Sequence, residues 1–124
     1  RLPIIDAENA RRREVAALYR ALIRHPGVRL PEAAADAAEQ VWHLFVVRCE
    51  DRTALQAHLA KRGVQTMIHY PVPPHRQAAY ATGELAGDWP ITDALHREVL
   101  SLPMGPCLTN AEAERVAEAV NAGA

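Results

Sequence analysis

The chain has 124 residues, of which 49% are hydrophobic, and this size and composition fit one globular domain with a buried core. Its 14 basic and 15 acidic residues nearly cancel, so the charge gives no reason to expect binding to nucleic acid or to an anionic membrane. No apolar run approaches the roughly 20 residues that a membrane-spanning helix needs. Cys49 and Cys107 form neither a disulfide framework nor a CxxC metal pair, so we expect a reduced, cytoplasmic setting.

Two helices are predicted in the first half of the chain. Asp6 is expected to cap a helix that ends at residues 25–27, where proline and glycine interrupt the pattern. A second helix is expected to begin at Asp51 or Thr53 and to end at Gly63, because glycine is favoured just past a helix C-terminus. The apolar positions of the first helix are Val15, Leu18, Tyr19 and Leu22.

The second half of the chain carries further helix signals. Residues 75–81 are predicted to form a short helix, and Pro90 and Thr92 are predicted to open a longer one. Thr109 followed by Glu112 matches a capping box at the start of the last helix. The apolar stripe predicted for that helix is Ala113, Val116, Ala117 and Val120.

Three segments rich in β-branched and apolar residues predict strands, namely residues 41–48, 64–70 and 100–104. Residues 28–30 could add a short edge strand, and residues 32–40 form either a weak helix or a loop. Within the first strand, His43 is expected on the same face as Phe45. These elements predict an α/β sandwich in which a small, three-stranded, mainly antiparallel sheet is packed by helices.

The stretch from Gly63 to Gln77 joins a predicted strand to a proline-rich turn. Its prolines fix the backbone and remove hydrogen-bond donors, so the chain is expected to leave the sheet after Tyr70. His69 and Tyr70 are predicted to point in opposite directions at the end of the strand, and His75 follows in the turn. Because rigid loops at strand ends often carry binding sites, this stretch is the candidate site.

Three of the six histidines are candidate site residues. His43, His69 and His75 could converge at a strand end as metal ligands or acid/base groups, although a structural role is the alternative for His43. No HExxH, His-x-His or CxxC spacing is present, so we expect no bound metal. The remaining histidines are interpreted as surface residues; they are His25, His58 and His96.

Covalent catalysis has little support in the sequence. No GxSxG elbow or glycine-rich phosphate loop is present. Lys61 is the only lysine and is predicted to be exposed, whereas a Schiff-base enzyme needs a desolvated lysine. We therefore expect no Schiff-base lysine in this chain. The run from Arg11 to Arg13 is interpreted as a solvated helix face.

Several segments of the chain resemble one enzyme family. Residues 41–48, 52–63, 63–77 and 100–106 are similar to the C-terminal part of the DegT/DnrJ/StrS sugar aminotransferases. The most specific pieces are His-Tyr-Pro-Val-Pro-Pro-His and Leu-Ser-Leu-Pro-Met, in that order. The opening Leu-Pro-Ile-Ile-Asp-Ala-Glu-Asn-Ala-Arg-Arg-Arg also resembles a helix entry of the family, so the resemblance covers nearly the whole chain.

The resemblance implies a fold-type I enzyme that depends on pyridoxal phosphate and is usually a homodimer. Such enzymes transfer an amino group from glutamate or glutamine to a keto-sugar nucleotide. Because they are much longer than this chain, which starts at Arg1 without methionine, residues 1–124 are expected to be their small C-terminal domain. The cofactor domain with the Schiff-base lysine is then absent, and the isolated chain is expected to bind no cofactor and to be inactive.

The resemblance also implies roles for particular side chains. It places His69, Tyr70 and His43 beside the sugar-nucleotide cleft, with roles in hydrogen bonding and positioning. For His75 and Gln77 it leaves two roles open, a contribution at the cleft edge or capping of the short helix that follows. One alternative is a stand-alone, non-catalytic binding module with the same fold. Another is a small metal-dependent hydrolase that uses His43, His69 and His75.

Overall fold

A computed structural model describes residues 2–80, 82–83 and 87–123. The helices are α1 (Leu2–Leu22), α2 (Arg52–Lys61), α3 (Pro90–Glu98) and α4 (Asn110–Asn121). The strands are β1 (Val28–Arg29), β2 (Phe45–Cys49) and β3 (Val99–Leu102). Single 3-10 turns are formed by Ala37–Glu39, Pro74–Arg76 and Ala78–Tyr80. None of the described helices is long and apolar enough to cross a membrane.

The three strands form one antiparallel sheet in the order β1-β2-β3. Val28 pairs with Cys49 between β1 and β2, and Phe45 pairs with Leu102 between β2 and β3. The predicted three-stranded sheet packed by helices is confirmed. The possible edge strand at residues 28–30 corresponds to β1.

One face of the sheet supplies the centre of the core. Phe45 and Val47 alternate along β2 and are fully buried, and Leu100 and Leu102 do the same along β3. Helices α1 and α4 pack against each other, and α2 contacts β2, β3 and α4. The helical residues buried with this face include Val15, Tyr19, Leu55, Leu59, Val116 and Val120.

The predicted helix ends are confirmed where a local signal sets them. Asp51 caps α2, since its carboxylate accepts the backbone N–H of Ala54 at 3.0 Å. Gly63 follows α2 with a φ of 75°, a value that side chains disfavour. Thr109 and Glu112 form the capping box of α4. All four residues of the predicted α4 stripe are buried.

The first helix is longer than predicted. Because α1 begins at Leu2, Asp6 lies inside the helix and does not cap it. Pro3 is compatible with this start, since the first turn of a helix does not need its N–H. Leu22 is 38% exposed, and Ile23, just past the helix end, is buried instead.

The strand predicted over residues 41–48 begins only at Phe45. Trp42 has a positive φ of 51°, which interrupts the extended conformation before the strand. His43 therefore lies outside the strand and is exposed, while Phe45 and Val47 are buried. Placing His43 on their face was wrong.

Residues 64–70 do not form a strand. Met67 makes one isolated bridge to Ser101, on the edge of β3 that β2 does not use. The segment then leaves the sheet through the cis peptide bond His69–Tyr70 and the prolines that follow. Val64 is the one buried apolar side chain of the segment.

The described part of the helix predicted over residues 75–81, residues 75–80, forms 3-10 turns instead. Pro74–Arg76 and Ala78–Tyr80 are separated by Gln77, which has an extended conformation. Ala81 lies outside the described residues. Residues 32–40 are mainly loop, with one 3-10 turn at Ala37–Glu39.

Candidate functional site

The bridge between Met67 and Ser101 fixes the candidate stretch against β3. The N–H of Ser101 donates to the carbonyl of Met67 at 2.8 Å, and the N–H of Met67 donates to the carbonyl of Ser101 at 3.2 Å. The side chain of Met67 is 60% exposed, so the backbone holds this position and the side chain remains accessible.

A second contact to Ser101 orients His69. Nδ1 of His69 lies 2.8 Å from the hydroxyl oxygen of Ser101, whose residue is only 4% exposed. The ring of Tyr70 stands edge-on to the ring of His69, with centroids 5.6 Å apart. The imidazole is therefore held on one side by a buried hydroxyl and on another by its neighbour.

His69 lies on the wall of an open groove of about 920 Å³. Polar lining groups besides His69 and Ser101 come from Gln56, Gln65 and Thr66. The lining has no Asp, Glu, Lys or Arg among the described residues. Apolar side chains make up most of the rest, with Leu44, Val64, Met67, Leu102, Pro103, Met104, Pro106 and Leu108.

Long-range hydrogen bonds fix two groove-lining residues from outside. Tyr19 donates its hydroxyl to the carbonyl of Pro103 at 2.7 Å, and burial raises the pKa of this phenol, which keeps it a donor. Arg11 donates two hydrogen bonds, of 3.0 and 2.6 Å, to the carbonyl of Leu108. Arg11 therefore supports the groove, and interpreting the whole run from Arg11 to Arg13 as a solvated face was wrong.

An ionic cluster holds the proline-rich turn. Asp93 on α3 accepts hydrogen bonds from the guanidinium of Arg76 at 2.8 and 2.6 Å and lies 3.0 Å from Nε2 of His75. The bond from Arg76, more than any other contact, lowers the pKa of Asp93 to about 2. The side chains of His75 and Asp93 are 7% and 8% exposed, so His75 binds inside the protein.

A third anchor joins the turn to the end of α3. Nδ1 of His96 donates to the carbonyl of Tyr70 at 2.6 Å, while the residue Tyr70 itself is 68% exposed. His25 and His58 also bind backbone carbonyls, those of Gly123 at 2.9 Å and Ala119 at 3.0 Å. The three histidines interpreted as surface residues are thus half-buried and hydrogen-bonded.

The structure separates the four predicted site residues. His69 lines the groove, Tyr70 projects beside it, His75 is buried against Asp93, and His43 is exposed on the loop before β2. No set of three or more His, Cys, Asp or Glu residues could hold a metal ion in the part of the chain that the structure describes. His43, His69 and His75 therefore do not converge as a set of metal ligands.

A sequence profile of the DegT/DnrJ/EryC1/StrS aminotransferase family matches residues 1–121. The chain belongs to this family. A dTDP-3-amino-3,6-dideoxy-alpha-D-galactopyranose transaminase of Aneurinibacillus thermoaerophilus is 48% identical over 121 residues, which cover 98% of this chain and 33% of that protein. The resemblance seen in the sequence is confirmed.

Solved structures have the same fold as this chain. S. venezuelae DesV, in complex with a ketimine intermediate, has a TM-score of 0.85 at 45% identity over 94% of this chain and 32% of that one. NtdA from Bacillus subtilis, solved with bound cofactor PMP, has a TM-score of 0.76 at 32% identity over 91% of this chain and 27% of that one. The chain spans about a third of the length of the relatives that it matches.

Sequence reasoning missed Ser101 and Asp93. Ser101 lies between two buried leucines, and a small polar residue at such a position was a signal for a buried hydrogen bond. Asp93 lies in the first turn of α3, where a carboxylate is expected for its interaction with the helix dipole. That local explanation concealed its contacts to His75 and Arg76.

Proposed function

We propose that this chain works as the C-terminal part of an aminotransferase that transfers an amino group from glutamate or glutamine to a keto-sugar nucleotide. The observation that carries the proposal is His69, held by a buried hydroxyl on the wall of an open groove, in a chain of this aminotransferase family. The A. thermoaerophilus relative bears the name of a transaminase acting on a dTDP-linked amino sugar, which supports this substrate class.

The described residues do not fit the Schiff base of pyridoxal phosphate. Lys61 is the only lysine of the sequence, and it lies exposed in the last turn of α2 rather than in a desolvated pocket. We therefore assign no step through the cofactor to this chain. The cofactor and its lysine belong, in this proposal, to polypeptide outside these 124 residues, and the isolated chain is inactive.

The contribution of this chain is to orient the substrate and to exclude water. His69 offers a hydrogen bond at the groove wall, and the exposed ring of Tyr70 stands beside it. His75 acts indirectly, because its contact with Asp93 fixes the turn that follows Tyr70. His43, on its exposed loop, can reach a substrate only as part of a larger site.

Two further features complete the proposal. The working enzyme is a homodimer, and the exposed apolar side chains of Met67, Tyr70, Val72, Tyr80 and Ile91 provide surface for burial against other polypeptide. The enzyme acts in the cytoplasm, where thiols such as the half-buried Cys49 and the exposed Cys107 stay reduced.

The test begins with the gene upstream of the codon for Arg1. We expect an open frame that continues upstream into a segment with a buried cofactor lysine. The protein expressed from the whole frame is expected to aminate a dTDP-linked 3-keto-6-deoxyhexose with glutamate, detected by mass spectrometry, whereas residues 1–124 alone do not. A start codon directly before Arg1, or no amination by the longer protein, would contradict the proposal.

The alternative, a stand-alone binding module, is favoured by one observation, the exposure of Met67, Tyr70 and Val72 on one segment. A module should cover such side chains by self-association or with a partner. Sedimentation of residues 1–124 separates the two: a stable oligomer with no upstream frame supports the module, while a monomer with an upstream frame supports the enzyme.

A further inference from the structure

The hydroxyl of Ser101 has one hydrogen-bond partner in the part of the chain that the structure describes. Ser101 is 4% exposed and alternates with Leu100 and Leu102, so its side chain leaves the opposite face of β3 from theirs. Among the described residues, the only hydrogen-bond partner of this hydroxyl is Nδ1 of His69, at 2.8 Å. The backbone bridge from Ser101 to Met67 holds the two residues at this separation.

This arrangement selects the direction of the hydrogen bond. A serine hydroxyl has one hydrogen to donate, and a buried donor left without an acceptor is costly. If Nδ1 carried the hydrogen, it would donate to Ser101, and the hydrogen of the hydroxyl would have no acceptor among the described residues. The hydroxyl therefore donates to Nδ1, and the hydrogen of the neutral imidazole lies on Nε2.

The other ring nitrogen of His69 is available to a ligand. Nε2 has no hydrogen-bond partner among the described residues, and it is not one of their buried unpaired atoms. Solvent can therefore reach it, and the residue lines the groove.

We infer that Ser101 is a positioning residue, which fixes His69 as the Nε2–H tautomer so that the groove presents an N–H donor to an oxygen of the substrate. The hydrogen bond between Ser101 and His69 does not depend on the proposed function, whereas the contact of His69 with substrate rests on it. Keto-sugar nucleotides offer carbonyl, hydroxyl and phosphate oxygens as acceptors.

The lining of the groove is better suited to bind the sugar of a keto-sugar nucleotide than its diphosphate. Diphosphates are bound by Arg, Lys or metal ions, and the groove lining has none of these side chains within the described residues. Its apolar surface and its amide and hydroxyl groups suit a deoxysugar ring. The acceptor for His69 is then a neutral oxygen of the sugar.

The tautomer can be measured on residues 1–124 without any activity. Long-range proton–nitrogen NMR at a pH where histidines are neutral reports which ring nitrogen carries the hydrogen, and His69→Gln identifies the signals of His69. We expect Nε2–H alone in the wild type. An Nδ1–H signal for His69 would overturn the inference.

Matched variants test whether Ser101 is the cause. Ser101→Ala is expected to shift the Nδ1 resonance and to release the tautomer to a mixture, while Ser101→Thr, which keeps a hydroxyl, restores the wild-type pattern. Thr66→Ala is the control, because it also removes a hydroxyl near His69. The hydroxyl of Thr66 makes no hydrogen bond among the described residues. Unchanged His69 signals in folded Ser101→Ala, as judged by circular dichroism, would overturn the inference.

Kinetics of the longer enzyme test the contact with substrate. Ser101→Ala should lower kcat/KM for the keto-sugar nucleotide by roughly threefold to tenfold, the worth of one hydrogen bond, with recovery in Ser101→Thr. If Ser101→Ala alters the tautomer of His69 but leaves kcat/KM unchanged, the inferred contact between His69 and the substrate would be overturned. A longer protein without any transaminase activity would instead refute the proposed function, and the NMR result would stand.

Discussion

The core and the candidate site are held together by different forces. The core, formed by α1, α2, α4 and one sheet face, buries Tyr19, Phe45 and Leu100 completely. The site segment, residues 64–77, buries little apolar surface, and Met67 and Tyr70 are 60% and 68% exposed. It is attached by hydrogen bonds and ion pairs to Ser101, Asp93 and His96.

This difference separates stability from positioning. Apolar burial is large and non-directional, so the core supplies most of the folding free energy. Hydrogen bonds contribute less but are directional, so they set the orientation of single side chains such as His69. The segment that carries the site is thus oriented accurately and attached weakly.

The largest expected effect is in the core. Phe45→Ala should lower the free energy of unfolding by about 3–5 kcal/mol, since it removes a fully buried ring that contacts the rings of Tyr19 and Trp42. Denaturant titration measures the loss. Leu22→Ala, at a position 38% exposed, is the control and should change stability by no more than roughly 0.5 kcal/mol. Equal losses in the two variants would refute the distinction.

The ionic cluster should show a pH-dependent effect. The pKa of Asp93 is lowered to about 2, so its contribution to stability is complete above the ordinary carboxylate pKa near 3.8 and is lost as the pH falls through about 2. Asp93→Asn should therefore be less stable than the wild type at pH 7, and the difference should shrink between about pH 4 and pH 2. A difference that stays constant down to pH 2 would contradict this.

The capping box gives a smaller, local test. Thr109→Ala should cost about 1 kcal/mol, because it removes the hydroxyl that accepts the N–H of Glu112. The same change should bring the pKa of Glu112 back toward its ordinary value, since the hydroxyl of Thr109 is one of the two donors that lower it. Thr109→Ser should keep both properties, and NMR titration of Glu112 with thermal unfolding measures them.

The smallest effect is expected in the site segment. Met67→Ala should change the stability of residues 1–124 by no more than roughly 0.5 kcal/mol, because the side chain is mostly exposed and the bridge to Ser101 uses only backbone atoms. Val64→Ala, at a position 8% exposed in the same segment, should cost more in the same denaturant titration. A large loss for Met67→Ala would show that the segment has a core of its own.

The sequence predicted the elements whose signals are local. Asp51 caps α2 through Ala54, and Thr109 caps α4 through Glu112, so each cap joins residues three positions apart. The stripe of α4 repeats at helical spacing and is buried as predicted. The resemblance drawn from the sequence motifs identified the family, and residues 1–121 match it.

Other predictions failed where a local pattern met a distant constraint. Residues 64–70 have strand propensity, yet only Met67 pairs with β3. His43 was expected on the same face as Phe45 within one strand. The positive φ of Trp42 interrupts the extended conformation, and the strand begins only at Phe45. The site roles of His43, His69, Tyr70 and His75 stay predictions.

By itself, the sequence determined the capped helices, the apolar stripes and the family, because these depend on residues close together in the chain. Only the tertiary structure decided the partners of the site histidines. Ser101 lies 32 residues from His69, and Asp93 lies 18 residues from His75. A hydrogen bond needs its two atoms within about 3 Å. This proximity arises because β3 and α3 pack against residues 64–77, and it cannot be read from the spacing of residues in the sequence.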